Sequence, residues 1–342
     1  MRRIFICCGL SIVLYLLVFA GLVDRPLSLG LLRMEMVQKS SVLASLPSPK
    51  IVVLAGSNGP YSHSCAVIGA MLNLPCENAG IAVGIGLDEI FRRDAPLLHA
   101  GDIVYMPMEL QQYTASRTQY DAGADGNILL RRDRAILEKL PPGRILGAMF
   151  CCDLANLLEA FVEMPMMHTN AFQPGEILAA EYNRQGDRID NNLADASAAL
   201  LNHPPRPEPT QNEIVDGYGT QIISTFIRQE TARNIIVIGG LPTDFSDAAL
   251  SQRMVSTLAS IYIANGGMFA ALHNRSLYPA ADFFNSEDHL AKPCQFLHSV
   301  SIANLLAAKL RLPVQPPSSN VISLAAMCPQ PCLPDYPMSA AR

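Results

Sequence analysis

Residues 51–55 read Ile-Val-Val-Leu-Ala and run directly into Gly56, Ser57, Asn58 and Gly59. A short apolar, β-branched run of this kind reads as a buried strand, which puts Ser57 on the turn leaving it. In an open parallel sheet, ligands bind beyond the carboxyl ends of the strands. Gly56 and Gly59 permit a tight turn and a close approach of backbone. A serine hydroxyl there becomes a nucleophile once a base takes its proton, and nearby amides can hold the developing oxyanion. The same residue type also caps ordinary helices, so this segment alone leaves both roles open.

The matching base candidate lies far along the chain. Residues 283–290 read Phe-Phe-Asn-Ser-Glu-Asp-His-Leu. His289 would accept the Ser57 proton and return it to a leaving group. Asp288 and Glu287 are the local carboxylates that could orient the imidazole. The competing reading is a solvated turn capping the next helix. Other chemistry is poorly served. No Gly-Lys-Ser/Thr follows the first turn, so a Walker A loop is excluded. Gly80, Gly84 and Gly86 lack dinucleotide-loop spacing. Met164, Met166, Met167 and His168 have the donor softness for Cu(I), but a flexible apolar patch explains them as well. His63 reads as a surface residue at a helix start, and His273 as a residue lining the same cleft. Residues 182–187 read as a hairpin turn. No metal or other cofactor is expected.

These residues need a scaffold, and the pattern supplies one. Apolar runs at 51–55, 103–108, 144–150, 234–239 and 268–272 read as strands. Amphipathic segments at 86–98, 246–264 and 295–310 read as helices, the second with Ser246 or Asp247 as N-cap. Alternation of the two implies an α/β fold with a mainly parallel sheet covered on both faces. Residues 165–220 form a long excursion placed over the strand ends, and residues 313–342 a loosely ordered Pro-rich tail. The main domain is therefore 50–312, and residues 26–49 form a linker.

Half of the 342 residues are apolar and 16% are charged, with a net charge of −5. That composition fills a core and disfavours nucleic acid as a partner. Arg2 and Arg3 precede an uncharged run over residues 4–23. Twenty helical residues span about 30 Å, so residues 1–25 read as one transmembrane anchor. The flanking charges place the N-terminus in the cytoplasm and the bulk outside. A cleaved signal peptide is the alternative. Of nine cysteines, seven lie beyond that run, an odd number that leaves at least one unpaired within the chain. The Cys328 and Cys332 spacing suggests a local loop closure. No accompanying pair makes it a zinc site.

Four stretches together resemble the SGNH/GDSL-type hydrolases, closest to the bacterial membrane-anchored branch linked to cell-surface polysaccharide acylation. Residues 51–58 look like the block that carries the nucleophile. Residues 74–84 look like the block giving a Gly amide to the oxyanion hole. Residues 101–109 look like the third block, and 283–290 like the last. The resemblance covers about 50–113 and 230–310. It implies a flavodoxin-like three-layer sandwich, with Ser57 as nucleophile, His289 as base and Asp288 as the acid. Gly84, with Gly80 as alternative, would donate to the oxyanion, and Asn58, Glu109 and Asn285 would line the site. Two departures stand out. The third block usually ends in Asn, and here it ends in Glu109, which donates a hydrogen bond only when protonated. The last block usually places Asp three or four residues before His, and here Ser286 and Asn285 stand there. The expected activity is that of an extracytoplasmic esterase or O-acyltransferase on acyl groups of a carbohydrate, held in the inner membrane beside a membrane-bound acyltransferase partner. The alternative is an inactive SGNH scaffold serving in assembly. A flavodoxin-like nucleotide binder is a third reading.

Overall fold

The computed structural model describes residues 2–22, 27–121, 140–149, 174–202, 207–248 and 250–329, with 123, 126 and 204 besides. The chain divides into two compact units. The first comprises residues 1–35, 84–86 and 116–178, and the second the remainder.

In the first unit, α1 spans Arg2–Leu22, and α2 (Leu27–Ser45) begins there and runs into the second unit. Ile4, Phe5, Leu10, Leu14 and Leu17 of α1 are exposed. Among the described residues, no helix is long and apolar enough to cross a membrane. α7 (Arg117–Asp121) and α8 (Pro142–Met149) follow. The expected strand over 144–150 is thus a helix as far as Met149. The burial pattern explains why: Arg144 and Ala148 are wholly buried while Leu146 is exposed, a spacing of one helical turn and not an alternation. The Arg144 guanidinium donates to the Tyr120 and Asp121 carbonyls and lies 4.9 Å from the Tyr120 ring. Met164, Met166, Met167 and His168 lie outside the described residues, as do residues 165–173, 203, 205 and 206 of the 165–220 excursion.

The second unit holds the sheet. Its strands are β1 (Ile51–Val53), β2 (Cys76–Asn78), β3 (Ile103–Met106), β4 (Ile236–Gly239) and β6 (Met268–Phe269). They pair in the order β2-β1-β3-β4-β6, every pair parallel. This is an α/β architecture consistent with a flavodoxin-like fold. β5 (Asp244–Phe245) and β7 (Leu277–Tyr278) form a separate two-stranded ladder. The helices are α3 (Asn58–Ser62), α4 (Cys65–Leu72), α5 (Leu87–Asp94), α6 (Leu110–Thr114), α9 (Pro174–Glu181), α10 (Gln211–Val215), α11 (Tyr218–Ala232), α12 (Gln252–Ala264), α13 (Lys292–Leu310) and α14 (Ser319–Ala325). α9 begins in the first unit.

Parallel strands buried on both faces need apolar residues at every position, which is why β1 and β3 read as unbroken runs. Ile51, Val53, Ile103, Tyr105 and Ile238 pack with Ile68, Met71, Val300 and Leu306 of α4 and α13. Val52, Val104 and Val237 point the other way and are equally buried. α11 and α12 flank β4, and Phe91 of α5 stacks on Phe226 of α11 at 4.1 Å. The amino ends of β1 and β3 are pinned by a buried ion pair, Lys50 Nζ to Asp102 Oδ2 at 2.9 Å. Asp102 also accepts from the backbone N–H groups of Lys50 and His99.

Four further expectations are corrected. The segment read as a linker carries α2, with Met36, Lys39 and Leu43 buried at helical spacing. α12 is capped by Ser251, whose hydroxyl accepts from Met254 N–H, and the expected cap Ser246 instead extends the β5 ladder, its N–H donating to the Tyr278 carbonyl. Cys328 bonds Cys294 across 34 residues, not Cys332, and ties the chain beyond α14 to the start of α13. The tail is therefore packed as far as Cys328, which is buried among Phe283, Leu290 and Ala325. A second disulfide joins Cys65 to Cys76. Cys151, Cys152 and Cys332 lie outside the described residues.

Candidate functional site

β1 delivers the chain to Ser57 at the carboxyl edge of the sheet, as the parallel register requires. Ser57 occupies the N-cap position of α3 but its side chain makes no cap bond. Among the described residues, neither its hydroxyl nor its N–H has a hydrogen-bond partner. Its neighbours are fully engaged. Glu109, at the start of α6, bridges the turn: Oε2 accepts from Gly56 N–H and Oε1 from Asn58 N–H, both at 2.9 Å. A Cβ at Gly56 would fall 2.5 Å from a Glu109 oxygen, so a larger residue here would displace the carboxylate that bridges the turn. Burial and the charge of Asp288 push the Glu109 pKa up to about 7, against the pull of the two amides.

Asn58 is wholly buried and structural. Its Nδ2 donates to the Pro107 carbonyl, and its Oδ1 accepts from the N–H and hydroxyl of Thr243. Asn78, at the end of β2, donates to the carbonyls of Gly59 and His63 and so holds both ends of α3. Gly80 packs face to face with this turn, and a Cβ there would meet the Gly56 carbonyl at 2.7 Å. Its N–H points at Asn78 Oδ1, 3.4 Å away. Gly84 is exposed and belongs to the first unit.

His289 reaches the same rim from the other end of the chain. Its ring lies flat on Tyr61, with centroids 3.8 Å apart and 9° between planes. Tyr61 follows Ser57 by one helical turn, so the two project from the same side of α3. Arg188 covers Tyr61 at 5.1 Å. The loop carrying His289 is docked by its backbone on both sides. Ser62 Oγ donates to the Asp288 carbonyl and accepts from Leu290 N–H, and Thr243 Oγ1 lies 2.7 Å from Ser62 Oγ. One pair of hydroxyls therefore contacts Asn58, beside the candidate nucleophile, and both residues flanking His289.

The imidazole is oriented by Asn285, whose Oδ1 accepts from Nδ1–H at 2.6 Å. That leaves Nε2 with the lone pair, as a base requires. Asp288 Oδ1 stands 3.7 Å from Nε2 and its carboxylate is hydrogen-bonded to Ser286 Oγ. Asp288 is thus placed beside the accepting nitrogen, while the orienting position is filled by a neutral amide. Burial lowers the His289 pKa, against the pull of Asp288 and Glu287. No hydrogen bond joins Ser57 to His289. A cavity of about 450 Å³ opens alongside, walled by Glu109 and Asp288 rather than by Ser57 and His289 themselves.

No family model matches the chain, and neither does any curated protein or any solved structure. The site therefore rests on its own geometry.

Tyr61, Ser62 and Thr243 have no place in the sequence reading, and Asn78 enters it only as part of the 74–84 block, with no role of its own. Tyr61 carried a usable signal, one turn beyond Ser57. Thr243 follows Gly240, Leu241 and Pro242 after β4, another strand end at the same edge. His63, expected on the surface, is wholly buried, because α13 packs against α3 and sets His298 against the His63 ring. His273 is exposed.

Proposed function

We propose that the chain is an extracytoplasmic serine esterase or O-acyltransferase of the SGNH type, acting on acyl groups of a carbohydrate. The observation that carries this reading is the stacking of His289 on Tyr61, one turn from an unengaged Ser57 at the carboxyl edge of a parallel sheet. Ser57 Oγ attacks the acyl carbonyl and its proton passes to His289 Nε2. Asn285 holds Nδ1–H through this transfer. The Ser57 N–H is free to receive the oxyanion, and neutral Glu109 has a proton to donate nearby. The imidazolium then protonates the departing alkoxide. Water or a sugar hydroxyl, activated by the same His289, releases the acyl group. Two disulfides support an oxidising compartment, and the N-terminal apolar run supports an inner-membrane anchor; a membrane-bound acyltransferase partner follows from the resemblance alone.

A fluorophosphonate probe tests the chemistry. Labelling should map to Ser57 and vanish in Ser57→Ala. His289→Ala should slow it by roughly 10²–10⁴, the usual yield of a general base. An unlabelled wild-type chain sinks the reading.

The second reading, a non-catalytic scaffold for exopolysaccharide assembly, draws on the missing Ser57–His289 hydrogen bond and on the cavity walls. It expects no labelling, together with glycan binding that survives Ser57→Ala.

A further inference from the structure

Three buried side chains remain outside the chemistry above and end on the same turn. His63 Nδ1 lies 3.2 Å from the Asn58 carbonyl. His63 Nε2 lies 3.2 Å from His298 Nε2. His298 Nδ1 lies 2.7 Å from the Tyr278 hydroxyl. Both imidazoles are wholly buried and Tyr278 nearly so.

The carbonyl fixes every proton in this chain. A carbonyl only accepts, so His63 must carry its proton on Nδ1. Its Nε2 is then a bare lone pair, and His298 must donate to it from Nε2–H. His298 Nδ1 is left bare and takes the Tyr278 proton. Reversing any link places two donors or two acceptors face to face. We propose that His63 is a positioning residue for the Ser57 turn, held in its donating tautomer by His298 and Tyr278. This rests on the reading of Ser57 as nucleophile.

The placement gives the chain a purpose. With the Asn58 N–H held by Glu109 and its side chain by Pro107 and Thr243, the carbonyl is the third polar group of Asn58, the residue that follows Ser57. His63 secures it from below. The groups facing the two imidazoles are neutral: the Tyr105 ring edge at 5.6 Å from His63, and Tyr278 against His298. Asp282 is the charged neighbour of Tyr278. Burial lowers the pKa of His63 to about 4 and holds that of His298 well below its ordinary value, so both stay neutral through the physiological range. Two apolar residues would fill this space without the cost of desolvating imidazoles.

The experiment compares His63→Asn with His63→Leu in the full chain. An Asn amide nitrogen stands close to the imidazole Nδ1 position and can still donate to the carbonyl. Leu cannot, and both variants lose the link to His298. The expected result is Ser57 labelling within about threefold of wild type for His63→Asn and slowed at least about tenfold for His63→Leu, with thermal stability lowered similarly in both. Equal labelling rates in the two variants overturn the proposal. Nitrogen-15 histidine spectra of the wild type report independently of activity. They should show His63 protonated on Nδ1 and His298 on Nε2 from pH 5.5 to 8, and any other pattern overturns the proposal. A wild-type chain that shows those tautomers but takes no label rejects the nucleophile, and the positioning role with it.

Discussion

The two ends of the sheet bury a carboxylate in opposite ways. At the amino edge, Asp102 meets the Lys50 ammonium at 2.9 Å and two backbone N–H groups, so its charge is answered. At the carboxyl edge, Glu109 meets only N–H dipoles, with Asp288 as its charged neighbour. One end is built to be quiet. The other holds an acid near its neutral form beside a serine whose hydroxyl is unengaged. The difference teaches where this fold spends polar burial for stability and where it keeps groups poised to change state.

Breaking the amino edge should produce the largest stability effect. Asp102→Ala leaves Lys50 charged and buried without a counter-charge, with the Ser48 hydroxyl at 3.4 Å as its remaining partner, which costs about 3–5 kcal/mol. The double replacement Lys50→Met with Asp102→Leu removes both charges and should cost far less, within about 1 kcal/mol of wild type. Denaturant unfolding of the three proteins decides it. A double variant as weak as the single one would mean that the pair is needed for more than charge compensation.

The carboxyl edge should respond to pH instead. Glu109 is neutral in the fold up to about 7, whereas its ordinary value is 4.5. Between those values the folded state holds more protons than the unfolded state, so this group's contribution to stability falls as pH rises through that window. His63 runs the other way. Its folded pKa is about 4 against an ordinary 6.5, so its contribution is present above 6.5 and lost as pH falls toward 4. The two slopes oppose each other. Glu109→Gln should cost about 1–3 kcal/mol, because one amide N–H then faces a donor. It should also steepen the rise of stability between pH 4.5 and 7, by removing the opposing slope. Unfolding free energies at several pH values check this, and an unchanged profile would place the Glu109 charge elsewhere.

How much of this was legible follows from range. β1, β3 and β4 were readable because strands buried on both faces leave unbroken apolar runs. Ser57 was readable because a Gly-flanked serine after such a run sits at a strand end. The 144–150 segment was misread because a short apolar run fits strand and helix equally, and the burial of Arg144 is a tertiary choice. His63 and His298 could not be paired, since 235 residues separate them and neither has a local motif. Asn285 was noted as standing where an acid was expected, but only coordinates place its oxygen on Nδ1. The Cys294–Cys328 bond was hidden for the same reason, as spacing alone favoured a nearer partner.

The smallest effect tests whether the carboxyl edge acts as one piece. Thr243→Val keeps shape and removes one hydroxyl, which bonds Asn58 Oδ1 at 2.9 Å and lies 2.7 Å from Ser62 Oγ. Asn58 keeps the Thr243 backbone N–H, and Ser62 keeps its bonds to Asp288 and Leu290. Stability should therefore fall by only about 1 kcal/mol, the net worth of one buried hydrogen bond. The hydroxyl is nevertheless the link between the residue after Ser57 and the loop carrying His289. Small shifts at that link change the distance between the proposed nucleophile and the proposed base, and proximity is steep in its effect on rate. Probe labelling of Ser57 should fall severalfold in a protein that unfolds almost normally. Labelling that tracks the stability loss alone would show that the two halves of the site are positioned independently of Thr243.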